Sequence, residues 1–135
     1  DGPEFNKIKK IANTNIELLG FVKNDKLNQY LEKARAFVFA AEEDFGIIPV
    51  EAQACGTPVI AFGKGGALET VIKNKTGIFF YKQDEESIIN TVNEFETMTF
   101  NYKTIRDNAI RFSKERFESE IKDFILDKYK NYKES

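Results

Sequence analysis

The chain has 135 residues, of which 41% are hydrophobic and 31% are charged, so it can bury one core of ordinary size but hardly two. A formal net charge of -2, with lysines interleaved among acids, removes the broad positive field on which non-specific nucleic-acid binding depends. The single cysteine and the absence of histidine exclude an intramolecular disulfide, a cysteine-rich metal site and histidine acid–base chemistry. We therefore expect a single domain that binds neither nucleic acid nor a metal.

Two patterns bear on localisation. No apolar run approaches the roughly 20 residues that a membrane-spanning helix requires. The opening residues DGPEFNKIKK have no apolar centre of the kind found in signal peptides. These features predict a cytoplasmic chain.

The chain opens on a helical pattern followed by a strand pattern. Residues 4–12 carry apolar side chains at a spacing of three, which predicts a helix. The run NIELLGFV, residues 15–22, predicts a strand that ends at Gly20. Asn24 or Asp25 is expected to cap the next helix. The residues predicted to be buried on that helix are Leu27, Tyr30, Leu31 and Ala34.

Strand and helix patterns then alternate along the chain. Short, continuously apolar runs are typical of parallel strands covered on both faces. These runs are AFVFAA (36–41), TPVIAF (57–62) and TGIFFY (76–81). The helices predicted after them are residues 47–54, stopped by Gly56, residues 67–72 and residues 84–96. From Asn101 to the end only helical pattern is present.

This alternation predicts βαβ units and a doubly wound, Rossmann-like α/β domain with a parallel sheet. Such a domain would ordinarily open on a buried strand, whereas this chain opens on the turn Asp1–Pro3 and a helix. We therefore expect an N-terminally truncated domain, residues 1–135, that lacks its first strand or strands. Residues 101–135 are expected to be the C-terminal helices of the same domain.

Ligands of doubly wound sheets bind outside the carboxyl ends of the strands. The residues that follow the predicted strands form three loops, at Gly20–Val22, Glu42–Gly46 and Gly63–Gly66, and we expect all three to face one crevice. Gly46, just before a helix, would let a phosphate or sugar oxygen approach free backbone N–H groups. Glu51, on the same helix, can reach back over the crevice. Carboxylates there suit the hydroxyl groups of ribose and sugars.

These residues carry a family resemblance. EEDFGIIPVEAQACGTPVIA, followed by GKGGALETV and TGIFF, resembles the donor-binding half of a retaining glycosyltransferase of the GT-B fold, family four (group 1). The E-x7-E motif of that family corresponds to Glu43 and Glu51, and the opening DGPE is similar to the end of its GDGP turn. The resemblance runs from Asp1 to about Glu96. Within the family, the sequence is most similar to mannosyltransferases of lipopolysaccharide O-antigen assembly.

The resemblance implies an activity and a set of site residues. The enzyme would transfer a hexose, mannose from GDP-mannose, to a saccharide or lipid-linked acceptor, with the leaving diphosphate taking the acceptor proton and with no metal or cofactor. Glu43 would hold hydroxyls of the transferred sugar, and Glu51 would bind the ribose. The other residues implied in donor binding are Gly20, Phe21, Val22 and Lys23 around the base, Asp44, Phe45, Gly46 and Ile47 beside the sugar and diphosphate, and Gly65, Gly66 and Glu69 along the crevice. Glu69 could equally be an ordinary first-turn residue of its helix.

The resemblance also implies parts outside this sequence. The diphosphate-binding arginine and lysine of the family would lie upstream of Asp1, as would the acceptor half, and Lys64 is not assumed to replace them. We therefore expect that this chain alone has no transferase activity. The full-length enzyme is expected to be cytoplasmic or peripheral at the inner face of the cell membrane.

Other interpretations stay open. A non-catalytic Rossmann-like module that binds a nucleotide or a partner protein would share the pattern. An epimerase of GT-B type acting on UDP-sugars is disfavoured because it needs further acid–base groups. The glutamates could simply belong to a solvated helix start. The glycines could be ordinary turn residues, and Cys55 could be a small buried residue.

The C-terminal aromatic residues allow two interpretations. We expect them to face the core of the domain, and if they are exposed instead, the C-terminal helices could mediate self-association. These residues are Phe112, Phe117, Phe124 and Tyr129.

Overall fold

The later apolar runs form a parallel sheet in the computed structural model, which describes residues 2–133. Its strands within that range are, in spatial order, β1 (Phe37–Phe39), β2 (Val59–Phe62) and β3 (Gly77–Phe80). In the parallel register Phe37 lies beside Val59, and Val59 lies beside Gly77. Parallel strands need crossover connections, and a helix lies between each successive pair in the chain. The predicted α/β fold with a Rossmann-like parallel sheet is confirmed.

Helices occupy most of the remaining described chain. They are α1 (Phe5–Ile11), α2 (Asn24–Lys33), α3 (Ile47–Ala54), α4 (Ala67–Thr70), α5 (Glu85–Glu96), α6 (Tyr102–Ile110) and α7 (Lys114–Lys133). Gly46 and Gly56, with φ of 78° and 85°, flank α3. Asp84 and Asn101 each accept a hydrogen bond from the backbone of the helix that they precede. The predicted bounds of α3 are therefore confirmed, and its ends follow from local signals.

The core lies on both faces of the sheet, because successive strand side chains point to opposite faces. On one face, Val59 and Ala61 belong to a buried cluster with Leu31 of α2 and Ala52 of α3. The cluster on the other face contains Ile60, Phe62, Ile78, Phe80 and Phe95. Burying one such large side chain contributes about 1.5–3 kcal/mol. These two clusters hold the sheet, and with it the loops at its carboxyl edge.

Two predictions for the N-terminal part are wrong. Residues 15–22 form no strand, because a strand needs a neighbour for its backbone N–H and C=O groups, and the sheet of the described residues ends at β1. Lys23, in an extended conformation, precedes α2, and no side chain caps that helix. Asn24 is already helical. The predicted first helix is confirmed as α1, although none of its residues is buried.

Three predictions of burial are also wrong. Tyr30 of α2 was predicted to be buried but is 36% exposed. Val38 of β1 is 46% exposed, because β1 is an edge strand and α5 packs on β2 and β3 instead. In α7 no residue is buried, and Phe117, Phe124 and Tyr129 face solvent. Periodicity identified an apolar face of α7 without identifying what covers it. Residues 1, 134 and 135 of the predicted domain lie outside the described residues.

None of the helices described here has the length and apolarity that crossing a bilayer demands.

Candidate functional site

The loops that follow β1 and β2 are in direct contact. The backbone N–H of Gly66 donates a hydrogen bond of 2.8 Å to the carbonyl oxygen of Glu43. Beside it, Lys64 Nζ lies 3.0 Å from Glu42 Oε1 in an exposed ion pair. We call residues 42–46 and 63–66 the paired loops. Two of the three loops predicted to face one crevice are thus brought together at the carboxyl edge of the sheet.

Glycine is required where the paired loops touch. A Cβ atom added to Gly65 would overlap the carbonyl group of Glu43, and one added to Gly66 would overlap the backbone of Asp44 and Phe45. Gly65 also has a φ of 61°, which side-chain-bearing residues rarely adopt. The small size of both residues therefore permits the loops to contact each other. Their predicted contact with a donor stays a prediction.

The first paired loop leads directly into α3. Gly46 is buried and precedes the helix with a φ of 78°, and no side chain caps the N-terminus. The first backbone N–H groups of a helix have no partner within it and carry partial positive charge. Ile47 and Ile48 supply such groups, whereas Pro49 has none. This end of α3 can therefore accept an anion beside Glu43.

The two glutamates of the E-x7-E motif both reach solvent. Glu43 lies in the first paired loop, and Glu51 lies on the outer side of α3. Glu51 lines a cavity of about 380 Å³ together with Ile47, Val50, Arg106 and Phe112. The cavity combines an apolar wall with one carboxylate and one guanidinium group, so it can take a ligand with both apolar and hydroxyl surfaces.

A smaller cavity adjoins the first and shares Glu51 and Arg106 with it. Its volume is about 320 Å³, and Glu32 and Cys55 also line it. Burial, followed by the negative charge of Glu32, raises the pKa of the Cys55 thiol, and Arg106 only partly opposes this. A thiol whose pKa is raised stays protonated at neutral pH and is a poor nucleophile. Cys55 was expected to be a small buried residue, and it is half-buried.

The third predicted loop, Gly20–Val22, borders a different cavity. Gly20 and Phe21 border a cavity of about 840 Å³ whose other walls include Phe5 and Ile8 of α1. Phe21 is 82% exposed. In the part of the chain that the structure describes, no hydrogen bond or ion pair joins this loop to the paired loops. Glu69 is exposed on α4, three residues beyond Gly66.

Two features of the site had no signal in the sequence. Arg106 belongs to an ordinary helical pattern of α6, and only the packing of α6 on α3 brings it beside Glu51. Phe112 was expected in the core, but its ring meets the ring of Phe45 edge-on, with 5.7 Å between centroids and 71° between planes. Both contacts join residues far apart in the chain, which periodicity does not detect.

A parallel sheet with helices on both faces and loops packed at its carboxyl edge defines a Rossmann-like domain. The chain matches the family model of glycosyl transferases group 1 over residues 1–112, and it belongs to that family. The match includes both paired loops, α3 and α6.

Several curated proteins are similar to the chain. An uncharacterized glycosyltransferase of Methanocaldococcus jannaschii is 33% identical, over 84% of this chain and 34% of the relative. The capsular polysaccharide biosynthesis glycosyltransferase CapM of Staphylococcus aureus is 31% identical, over 81% of this chain and 28% of the relative. The GDP-mannose-dependent alpha-(1-6)-phosphatidylinositol monomannoside mannosyltransferase of Mycobacterium tuberculosis is 31% identical, over 69% of this chain and 28% of the relative. The chain thus spans 28–34% of the length of these relatives.

Proposed function

We propose that the chain is the donor-binding domain of a retaining hexosyltransferase, with GDP-mannose as the donor. The observation that carries this proposal is the pair of loops at the carboxyl edge of the sheet, where the loop that contains Glu43 leads into the uncapped start of α3. Family membership supports glycosyl transfer. The names of several relatives, which describe mannosyltransferases, support mannose as the sugar.

Four residues of the site have a proposed task. The free N–H groups of Ile47 and Ile48 bind the diphosphate, Glu43 accepts hydrogen bonds from hydroxyls of the transferred sugar, and Glu51 accepts them from the ribose. The leaving diphosphate takes the acceptor proton, so the reaction needs no protein nucleophile. Catalysis would rest on positioning and on stabilising the leaving charge.

The acceptor and the pathway belong to the same proposal. We propose a saccharide or lipid-linked acceptor in polysaccharide or lipopolysaccharide synthesis, held by a further domain of a longer enzyme at the inner face of the cell membrane. The name of one relative refers to capsular polysaccharide, and that of another to phosphatidylinositol monomannoside. No metal or cofactor is proposed. The chain alone is expected to be inactive, and measurable sugar transfer by it would contradict that part.

The test is an amide NMR titration of the chain with GDP-mannose, GDP and UDP-glucose in parallel. We expect shifts in residues 43–51 and 63–69, larger for the guanine nucleotides. The Glu51→Gln substitution should weaken the binding of GDP and of GDP-mannose alike. Glu43→Gln should weaken the binding of GDP-mannose but not that of GDP, because GDP has no sugar beyond its ribose for Glu43 to contact. A lost hydrogen bond to a charged group costs about 1.5–3 kcal/mol, or roughly ten- to a hundredfold in Kd.

The matched control is Glu118→Gln, an exposed glutamate on α7. It should leave every titration unchanged. If millimolar nucleotide produces no shift in residues 43–51, or if Glu118→Gln weakens binding as much as Glu51→Gln, the donor-binding proposal is wrong.

A further inference from the structure

We propose that Phe112, at the turn between α6 and α7, is a positioning residue that holds the first paired loop in place. Its relevance to donor binding rests on the proposed function. The contact itself does not, because it is a feature of the folded chain. The turn lies outside the E-x7-E segment, so its effect on the loop would act through packing alone.

The first paired loop is held from two sides. The ring of Phe45 meets the ring of Phe112 edge-on, a geometry that aromatic pairs favour. The backbone of Phe45 lies against Gly66, whose N–H bonds to Glu43. Glu43 and Gly46 are each within two residues of Phe45. Releasing the ring would therefore remove one of these two contacts and leave the contact with the second paired loop.

The turn that carries Phe112 is joined to a buried hydrogen-bond network through its neighbour Arg111. The preceding residue, Arg111, donates from Nη1 to Asn108 Oδ1 at 3.0 Å. Asn108 Nδ2 in turn donates to Gln53 Oε1 at 2.7 Å and to the carbonyl oxygen of Thr70 at 2.8 Å. Gln53 Nε2 donates to the same carbonyl at 3.0 Å. In the described residues every buried side-chain nitrogen and oxygen has such a partner.

This network joins the elements that carry the paired loops. Gln53 lies on α3, which begins where the first loop ends, and Thr70 lies on α4, which begins directly after Gly66. Asn108 lies on α6, one turn before Phe112. Buried amide networks whose groups are all satisfied rigidify the elements that they join. The network thus joins α6 to the two helices that follow the paired loops, and the ring of Phe112 contacts the first of these loops at Phe45.

The test compares Phe112→Ala with Phe117→Ala, an aromatic truncation at an exposed position of α7. The readout is the amide exchange rate of Gly66, whose N–H reports the contact between the loops. We expect Phe112→Ala to raise that rate about two- to tenfold, the range that an aromatic pair contributes. The rates of β2 and β3 amides should stay unchanged, and Phe117→Ala should alter neither.

A double mutant separates positioning from general stability. In a Phe45→Ala background, Phe112→Ala should add nothing to the Gly66 rate, because the contact is already lost. If Phe112→Ala raises the exchange rates of Gly66 and of the strand amides equally, the role of Phe112 is merely structural and the proposal is wrong. An unchanged exchange rate of Gly66 would also overturn it. Phe112→Leu, which keeps an apolar side chain of intermediate size and removes the aromatic ring, replaces Phe112→Ala if that variant does not fold.

Donor binding is measured separately. Where GDP-mannose binds the parent chain, Phe112→Ala should weaken it and Phe117→Ala should not, and equal affinities would contradict the link to the donor. Where GDP-mannose does not bind at all, the proposed function fails while the exchange rates still decide the positioning role.

Discussion

The central region of the molecule, from α2 to the end of α6, and the two helices that flank it, α1 and α7, use apolar residues in different ways. All residues of β2 and β3 are buried, and helices pack on both of their faces. In α1 and α7 no residue is buried, although their apolar residues recur at helical spacing. A periodic pattern therefore predicts that a helix forms. Burial needs a second surface, which the pattern does not reveal.

The largest expected difference between the regions is the cost of removing a phenyl ring. Phe80→Ala in the core should lower the free energy of unfolding by about 3–5 kcal/mol, because it leaves a cavity among well-packed neighbours. Phe124→Ala on α7, where the ring is 58% exposed, should change it by about 0.5 kcal/mol or less. Urea unfolding of both variants, monitored by far-UV circular dichroism, measures the contrast.

A large cost for Phe124→Ala would break the comparison. It would mean that α7 packs against a surface in solution, and the expected alternative is self-association through the C-terminal helices. The midpoint of unfolding would then rise with protein concentration. If the midpoint does not depend on protein concentration and Phe124→Ala lowers the free energy of unfolding only slightly, α7 is exposed to solvent as it is in the described chain.

The buried amides of the central region give the next largest effect. Gln53→Ala should cost about 1–3 kcal/mol, because it leaves Asn108 without one of its acceptors in a site closed to water. Asn93→Ala, on the exposed side of α5, should cost about 0.5 kcal/mol or less and is the matched control. Equal urea midpoints for the two variants would show that water or neighbouring groups replace the network.

The elements that could be predicted from the sequence have local causes. The strands were found because their runs are short and continuously apolar, and α3 was found to the residue because glycines flank it. The loops at the carboxyl edge followed from the topology alone. Residues 15–22 have the same strand-like composition, but they have no neighbouring strand in the described chain, so the same reasoning failed there.

What could not be predicted depends on pairs of residues far apart in the chain. In the sequence, Gln53 and Asn108 have the pattern of ordinary polar helix residues. Their side chains hydrogen-bond only because α6 packs on α3. The same packing places Arg106 beside Glu51 and Phe112 near Phe45. Single-residue patterns carry no information about such pairs, so the site was predicted as a set of loops without the residues that support it.

The smallest effect concerns helix starts, where two helices of the central region differ. The side chain of Asp84 accepts a 2.7 Å hydrogen bond from the backbone N–H of Ser87, and removing it in Asp84→Ala should cost about 0.5–2 kcal/mol. Asp25 lies in the first turn of α2, where no side chain caps the helix, so Asp25→Ala should cost only about 0.3–1 kcal/mol through the helix dipole. Added salt should shrink the Asp25 effect more than the Asp84 effect, because a dipole interaction at the surface is screened while a short hydrogen bond is screened less. Equal costs and equal salt dependence would mean that Asp84 acts through its charge alone.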